Sequence, residues 1–130
     1  MHQYFELCRW DTTWGSVVGI GFNLNQTNVQ GSSAGLVSAP SYLTFYYSKS
    51  GTAELRLQIG DGSTSWCFDT GGVNYSGQSI PVSEFNTKCW DNSGTYLSSG
   101  TPIRNVELVI PSQDATSLTF SDCLLDIALD

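Results

Sequence analysis

Hydrophobic residues in this chain recur at every second position rather than at the spacing of a helix. In the stretch VVGIGFNLN, the apolar residues from Val18 to Leu24 alternate with glycine and asparagine. Because side chains alternate between the two faces of a β-strand, this pattern predicts a strand with one buried face. Its outward positions would hold Gly19, Gly21, Asn23 and Asn25.

Short runs of the same kind follow along the chain, separated by Gly, Ser, Asn and Pro, and no helical pattern with caps persists. About seven or eight strands result, with turn signals at regular spacing and no crossover helices. The pattern therefore predicts an all-β domain: a two-sheet antiparallel β-sandwich, jelly-roll-like, formed as a single domain by residues 1–130. The further strands are predicted at residues 42–47, 53–59, 65–68, 79–82, 103–110 and 118–129.

Residues 42–59 have the pattern of a β-hairpin with a polar turn in its middle. In the second arm the leucines and the isoleucine face inward, which turns Arg56 and Gln58 outward. Two assignments of the first arm fit almost equally well. One of them places Tyr42 and Tyr46 on the same outer face as Arg56 and Gln58.

The composition limits the classes of partner. Charged residues make up 13% of the chain, and the formal net charge is −7. The five Lys and Arg residues are scattered, so a phosphate backbone would be repelled and nucleic acid is not expected as a partner. No apolar run approaches the roughly 20 residues that span a bilayer, so no membrane partner is expected, and the N-terminus lacks the pattern of a signal peptide. Surface polarity must come mainly from neutral groups, which favours neutral, hydroxyl-rich ligands.

The four cysteines fit neither a CxxC redox motif nor the spacing of a zinc site. Structural disulfides and an extracellular location are the preferred interpretation, with buried free thiols as the alternative. The preferred pairing joins Cys67 to Cys89 and Cys8 to Cys123. The second bridge would tie the two terminal segments together.

Two segments, TSWCFD and NTKCWD, place a cysteine beside a tryptophan. If Cys67 faces inward to its bridge, strand alternation turns Trp66 outward, and the same parity turns Trp90 away from Cys89. The alternative is that these tryptophans pack against disulfides inside the sandwich, as in immunoglobulin domains. The polar residues that follow Trp90, beginning with Asp91, indicate an exposed loop.

Such outward faces combine aromatic rings with hydrogen-bonding groups. A pyranose ring has an apolar C–H face, on which aromatic rings stack, and a rim of hydroxyls that polar side chains can bond. The candidates for stacking are Tyr42, Tyr46, Trp66 and Trp90, and the candidates for hydrogen bonding are Asn23, Asn25, Arg56, Gln58 and Asp91.

Five segments together carry a resemblance to a known kind of protein: GIGFNLNQ (19–26), LRLQI (55–59), WC (66–67), IPVSEFNTKCWD (80–91) and PIRNVELVIP (102–111). As a set, which lies within residues 17–127, they resemble the β-sandwich carbohydrate-binding modules of bacterial plant-cell-wall hydrolases, especially those attached to endoglucanases. The set is more specific than any single segment.

The resemblance implies a non-catalytic, secreted module that binds β-1,4-linked glucans such as cellulose chains, xyloglucan or mixed-linkage β-glucan. Its partners would be the polysaccharide and an appended catalytic domain. No cofactor is required, although modules of this kind often hold a structural calcium with carboxylates near the chain ends. Here Glu6 and Asp126 are the candidate pair, and both can equally be solvated surface residues.

Two other functions compete with this one. A small glycoside hydrolase needs two carboxylates at a suitable separation, and Glu54 and Glu107 are candidates on outer strand faces. His2 is the only histidine, which excludes a histidine brace or a catalytic histidine dyad within these residues. A structural or adhesive β-sandwich that contacts protein would instead show an apolar patch or a free strand edge.

Overall fold

The computed structural model describes residues 2–11, 18–24, 35–51, 54–111 and 120–130. These residues form strands and one short 3-10 helix, Val82–Glu84. Within the described ranges, no helix is long and apolar enough to cross a membrane. The strands are β1 (His2–Asp11), β2 (Val18–Asn23), β3 (Val37–Ser38), β4 (Tyr42–Gly51), β5 (Arg56–Gly60), β6 (Ser65–Asp69), β7 (Ser79–Pro81), β8 (Pro102–Ile103), β9 (Asn105–Ile110) and β10 (Phe120–Leu129).

Eight of the strands form two four-stranded antiparallel sheets. Sheet A has the order β1-β10-β4-β7 and sheet B the order β2-β9-β5-β6, while β3 and β8 form a separate two-stranded ribbon. Leaving out that ribbon, the first of the eight strands pairs with the last, the second with the seventh, the third with the sixth and the fourth with the fifth. This nested pairing is the topology of a jelly roll. The predicted all-β sandwich is confirmed.

The core contains residues from the facing sides of the two sheets. Sheet A contributes Leu43 and Phe45 from β4, and sheet B contributes Leu57 from β5 and Leu108 from β9, all fully buried. Burial alternates along β5 up to Ile59 and along β9 up to Leu108, as the alternating pattern predicted. Phe85, which follows the 3-10 helix, packs 6.4 Å from Phe45, ring centroid to ring centroid, and so closes the core on that side.

The predicted hairpin of residues 42–59 is wrong. β4 pairs with β10 and β7 in sheet A, whereas β5 pairs with β6 and β9 in sheet B. The two strands each have an apolar face, and placing them in opposite sheets lets those faces enclose one core. Alternation gave the inward residues of β5 correctly, and of the two assignments it left for β4, the one that buries Leu43 and Phe45 is observed. It carries no information on which strand lies beside which.

One predicted disulfide is confirmed. Cys67 and Cys89 are joined, and their Cα atoms are 5.4 Å apart. Cys123 is disulfide-bonded and is the register partner of Cys8 across β1 and β10. The side chain of Cys8 lies outside the described side chains, so its pairing stays a prediction.

Candidate functional site

The outward side of sheet B combines small, amide and charged residues over a nearly continuous surface. Its residues alternate along β5 and β9 with the core residues Leu57 and Leu108, and therefore point away from the core. We call this surface the sheet B face. It consists of Gly19, Gly21, Asn23, Arg56, Gln58, Gly60, Ser65, Asp69, Asn105 and Glu107, and the same rows also contain the buried residues Cys67 and Val109.

At two glycines of the sheet B face, groups of the neighbouring strand approach the backbone closely. A Cβ atom on Gly21 would overlap the backbone oxygen of Val106 and the side chain of Glu107, and one on Gly60 would overlap the Oδ1 atom of Asn105. Any larger residue at either position would displace a neighbouring strand or side chain. An open depression of about 280 Å³ lies beside Gly21 and is lined by Gly19, Gly21, Asn23, Asn105 and Glu107.

A loop of residues 86–96 extends sheet B beyond its edge strand β6. Asn86 bridges to Cys67 on one side and to Tyr96 on the other. The Asn86 Oδ1 atom accepts hydrogen bonds from the N–H groups of Lys88 (2.8 Å) and Gly94 (3.0 Å). Together with the bridge from Cys89 to Cys67, these bonds fix the base of the loop against the sheet.

Trp90 lies in this loop with 56% of its surface exposed. The guanidinium carbon of Arg56 lies over the indole, 5.4 Å from the ring centroid, which is within cation–π distance. Asp69 forms an ion pair with Arg56, with 3.8 Å between Oδ2 and Nε, a distance too long for a hydrogen bond. Arg56 packs against one side of the ring, and more than half of the Trp90 surface remains exposed. Trp90 is thus an oriented aromatic platform beside the sheet B face.

The charges of this region largely cancel. Arg56 and Asp69 form an ion pair on the sheet B face, and Glu107 adds one negative charge near the depression. Such a surface has no cationic cluster for a polyanion. Its amides, carboxylates and guanidinium can instead donate and accept hydrogen bonds with neutral hydroxyls.

The predicted orientation of Trp66 is wrong. Trp66 is 8% exposed and belongs to the hydrophobic core, with Phe68 packed against that core. Cys67 therefore points to the opposite side of β6, where the loop that carries Cys89 covers it. The disulfide lies outside the core because its partner belongs to a loop beyond the sheet edge. The indole Nε1 of Trp66 is buried without a hydrogen-bond partner among the described residues.

The two candidate tyrosines lie on the other sheet. Tyr42 and Tyr46 alternate with the buried Leu43 and Phe45, and 47% and 37% of their surfaces are exposed. The predicted outward orientation is confirmed, but the hypothesis of one face shared with Arg56 is wrong. The outer surface of sheet A and the sheet B face lie on opposite sides of the sandwich.

The remaining candidates differ in position. Asn23 lines the depression, and Gln58 lies between Glu107 and Cys67 in the sheet B register. Asp91, beside Trp90, accepts a hydrogen bond from the Ser93 N–H at 2.9 Å, and bonding by the Ser93 side chain and backbone lowers the pKa of Asp91. Asn25 lies outside the described residues.

The proposed calcium pair is only partly described. Asp126 lies in β10, and its Oδ1 atom accepts a hydrogen bond from the Ile127 N–H at 2.8 Å. The side chain of Glu6 lies outside the described side chains. Among the described residues there is no group of three or more His, Cys, Asp or Glu side chains placed to hold a metal ion.

Sequence reasoning did not place Asn105, Glu107 and Gly60 in the candidate site. Strand alternation identified Glu107 as outward, but only the register shows that it lies between Gly21 and Gln58. Asn105 likewise lies between Asn23 and Gly60. The available signal was the alternation of polar and apolar residues in NVELVI, which predicts the face of each residue but not its neighbours.

Neither a protein-family model, nor a characterised protein, nor a solved structure matches this chain in comparisons with known proteins.

Proposed function

We propose that this domain is a non-catalytic carbohydrate-binding module for neutral β-1,4-linked glucans. The observation that carries the proposal is the position of Trp90. Its exposed ring packs against Arg56 of the sheet B face, and the same face holds a glycine-lined depression edged by asparagine and glutamate side chains. Stacking on the indole and hydrogen bonds to the sugar hydroxyls are the two contacts that a pyranose chain needs.

A glucan chain would lie across the strands of sheet B, from the loop at β6 towards the edge strand β2. Three strand intervals separate these edges, a span of roughly 14 Å at the usual strand spacing. Trp90 would stack on one ring near Arg56. Gln58, Glu107 and the two asparagines, Asn23 and Asn105, would bond hydroxyls further along, and the glycines would allow the chain to approach the backbone.

The biological setting follows from the same proposal. A module of this kind would act outside the cell, where the disulfide from Cys67 to Cys89 persists. It would hold an appended glycoside hydrolase against cell-wall polysaccharide. Many of its contacts would be exposed and bridged by water, so we expect modest affinity per sugar unit.

A titration with a soluble β-glucan tests the proposal. Tryptophan fluorescence reports binding, because Trp90 is exposed whereas Trp66 is buried. A reducing-end assay on the same mixture reports hydrolysis. A saturable change of fluorescence without new reducing ends supports a binding module. New reducing ends would establish a hydrolase instead, and no response in either assay would refute glucan recognition and favour a structural or adhesive domain.

A further inference from the structure

A second cavity, separate from the sheet B face, opens at one end of the sandwich. It has a volume of about 380 Å³, which falls within the range of small-ligand sites. It lies between the inward residues near the end of β4 and the turn that follows β6. We call it the end pocket. It is lined by Tyr47, Ser48, Lys49, Leu55, Thr70, Gly72, Val73 and Asn74.

The end pocket has a buried floor and an exposed rim. Tyr47, Leu55 and Thr70 are 8%, 2% and 4% exposed, whereas Val73 is 56% exposed. Asn74 is also exposed at the rim. A cavity that is closed below by core residues and open above admits the end of a molecule rather than the middle of a continuous chain.

The floor presents one donor and one acceptor. The Tyr47 Oη atom accepts a hydrogen bond from the Tyr75 N–H at 2.8 Å, and its own O–H finds no acceptor among the described residues. Burial raises the pKa of Tyr47, so the phenol keeps its proton. The Thr70 hydroxyl donates to the Leu55 carbonyl at 2.8 Å, which leaves the lone pairs of Thr70 Oγ1 free to accept.

The rim adds a further donor and an apolar wall. The Asn74 Oδ1 atom accepts a hydrogen bond from the Ser76 N–H at 2.9 Å, so its amide NH₂ group remains to donate. Val73 and Leu55 supply apolar surface around these polar groups. The Ser76 hydroxyl also accepts a hydrogen bond from the Tyr47 N–H at 2.9 Å, which ties the turn to β4.

We propose that the end pocket binds a single terminal sugar ring, and thus the end of a glycan chain. Sugar hydroxyls can accept hydrogen bonds from the Tyr47 O–H and the Asn74 NH₂ group and can donate to the Thr70 oxygen. The C–H groups of the sugar ring can pack against the apolar wall. Lys49 also lines the pocket but already interacts with another group of the protein, and an anion would meet the Thr70 oxygen, an acceptor, on the pocket floor. The end pocket would add a second site to the proposed function. It rests on that function only for the statement that the ligand is a carbohydrate.

Amide chemical shifts in ¹⁵N-labelled protein, titrated with cellotetraose, test the end pocket separately from the sheet B face. In the Trp90→Ala variant we expect the amides of residues 70–76 still to shift. Val73→Trp fills the mouth of the pocket from an exposed position and should abolish those shifts while leaving shifts at residues 56–60 and 105–109. Val73→Ala, which leaves the mouth open, is the matched control. Tyr47→Phe removes the buried donor and should weaken end-pocket binding about tenfold.

The outcomes separate this proposal from the previous one. If the sheet B amides respond and residues 70–76 do not, the end pocket is overturned and the glucan-binding function stands. Shifts at residues 70–76 that survive in Val73→Trp would also overturn it, because the ring would then bind elsewhere. If neither region responds to the sugar, both proposals are refuted.

Discussion

Replacement of Trp90 by alanine should weaken glucan binding without unfolding the domain. Trp90 is 56% exposed, so of a side-chain surface of about 250 Å² roughly 140 Å² remains for a ligand. A sugar ring on the free side of the indole would cover about half of that, roughly 70 Å². At about 25 cal/mol per Å² this area contributes about 1.8 kcal/mol, or roughly a twentyfold change in Kd.

The same substitution has a smaller effect on folding. It removes the cation–π contact with Arg56, which contributes about 0.5–1 kcal/mol at an exposed position. Urea denaturation should therefore show a slightly less stable but cooperative domain. Tyr42→Ala is the matched control, since Tyr42 is an aromatic residue of similar exposure, 47%, on the opposite sheet.

Isothermal titration calorimetry with a soluble β-glucan distinguishes the two variants. We expect Trp90→Ala to lose about a factor of twenty in affinity and Tyr42→Ala to bind as the parent does. Unchanged affinity in a folded Trp90→Ala protein would refute the role of the indole. An equal loss in Tyr42→Ala would place the binding surface on sheet A instead.

Three further predictions concern the disulfide below Trp90, a glycine of the sheet B face and the carboxylate beside Trp90. Replacing Cys67 and Cys89 together by alanine removes a bridge between residues 22 positions apart. This should lower the stability seen in thermal melting by about 3 kcal/mol and lower glucan affinity as much as Trp90→Ala does. Unchanged affinity would show that the loop holds Trp90 without the bridge. Gly21→Ala should destabilise the domain by about 1–3 kcal/mol in urea, because its Cβ atom would overlap β9, and a variant as stable as the parent would contradict that close approach. The folded-state pKa of Asp91 is lowered by hydrogen bonds within its own turn, so its stabilising contribution is present above about pH 4 and is lost as pH falls through the folded value. The stability advantage of the parent over Asp91→Asn in urea denaturation should therefore be largest near neutral pH and shrink as the pH falls below about 4, and a difference that does not change with pH would refute it.

Local pattern was sufficient to predict the fold class and most inward-facing residues. Alternation placed Val106, Leu108 and Ile110 in the core, and the structure buries all three. The first strand, β1, and the β3–β8 ribbon were not predicted. Strand pairing was predicted wrongly at β4 and β5, because it depends on contacts between distant segments that alternation does not encode.

The candidate site was predicted less completely, for a related reason. The parity argument for Trp66 assumed that a bridged cysteine faces the core, whereas Cys67 bonds to a loop outside it. Trp90 was placed correctly because the polar residues after it indicate a loop. The depression could not be predicted, since it forms where glycines of β2 lie beside Asn105 and Glu107 of β9, and alternation does not encode that register.

The pairing of the first and last strands determines how the domain would respond to force. β1 and β10 are adjacent and antiparallel, and His2 is the register partner of Ala128. Tension applied at the two ends of the chain would therefore load the hydrogen bonds between these strands one after another, starting from that end, rather than all at once. A bond between Cys8 and Cys123 would stop this unzipping partway along the pair, so single-molecule pulling before and after reduction would reveal whether Cys8 is the partner of Cys123.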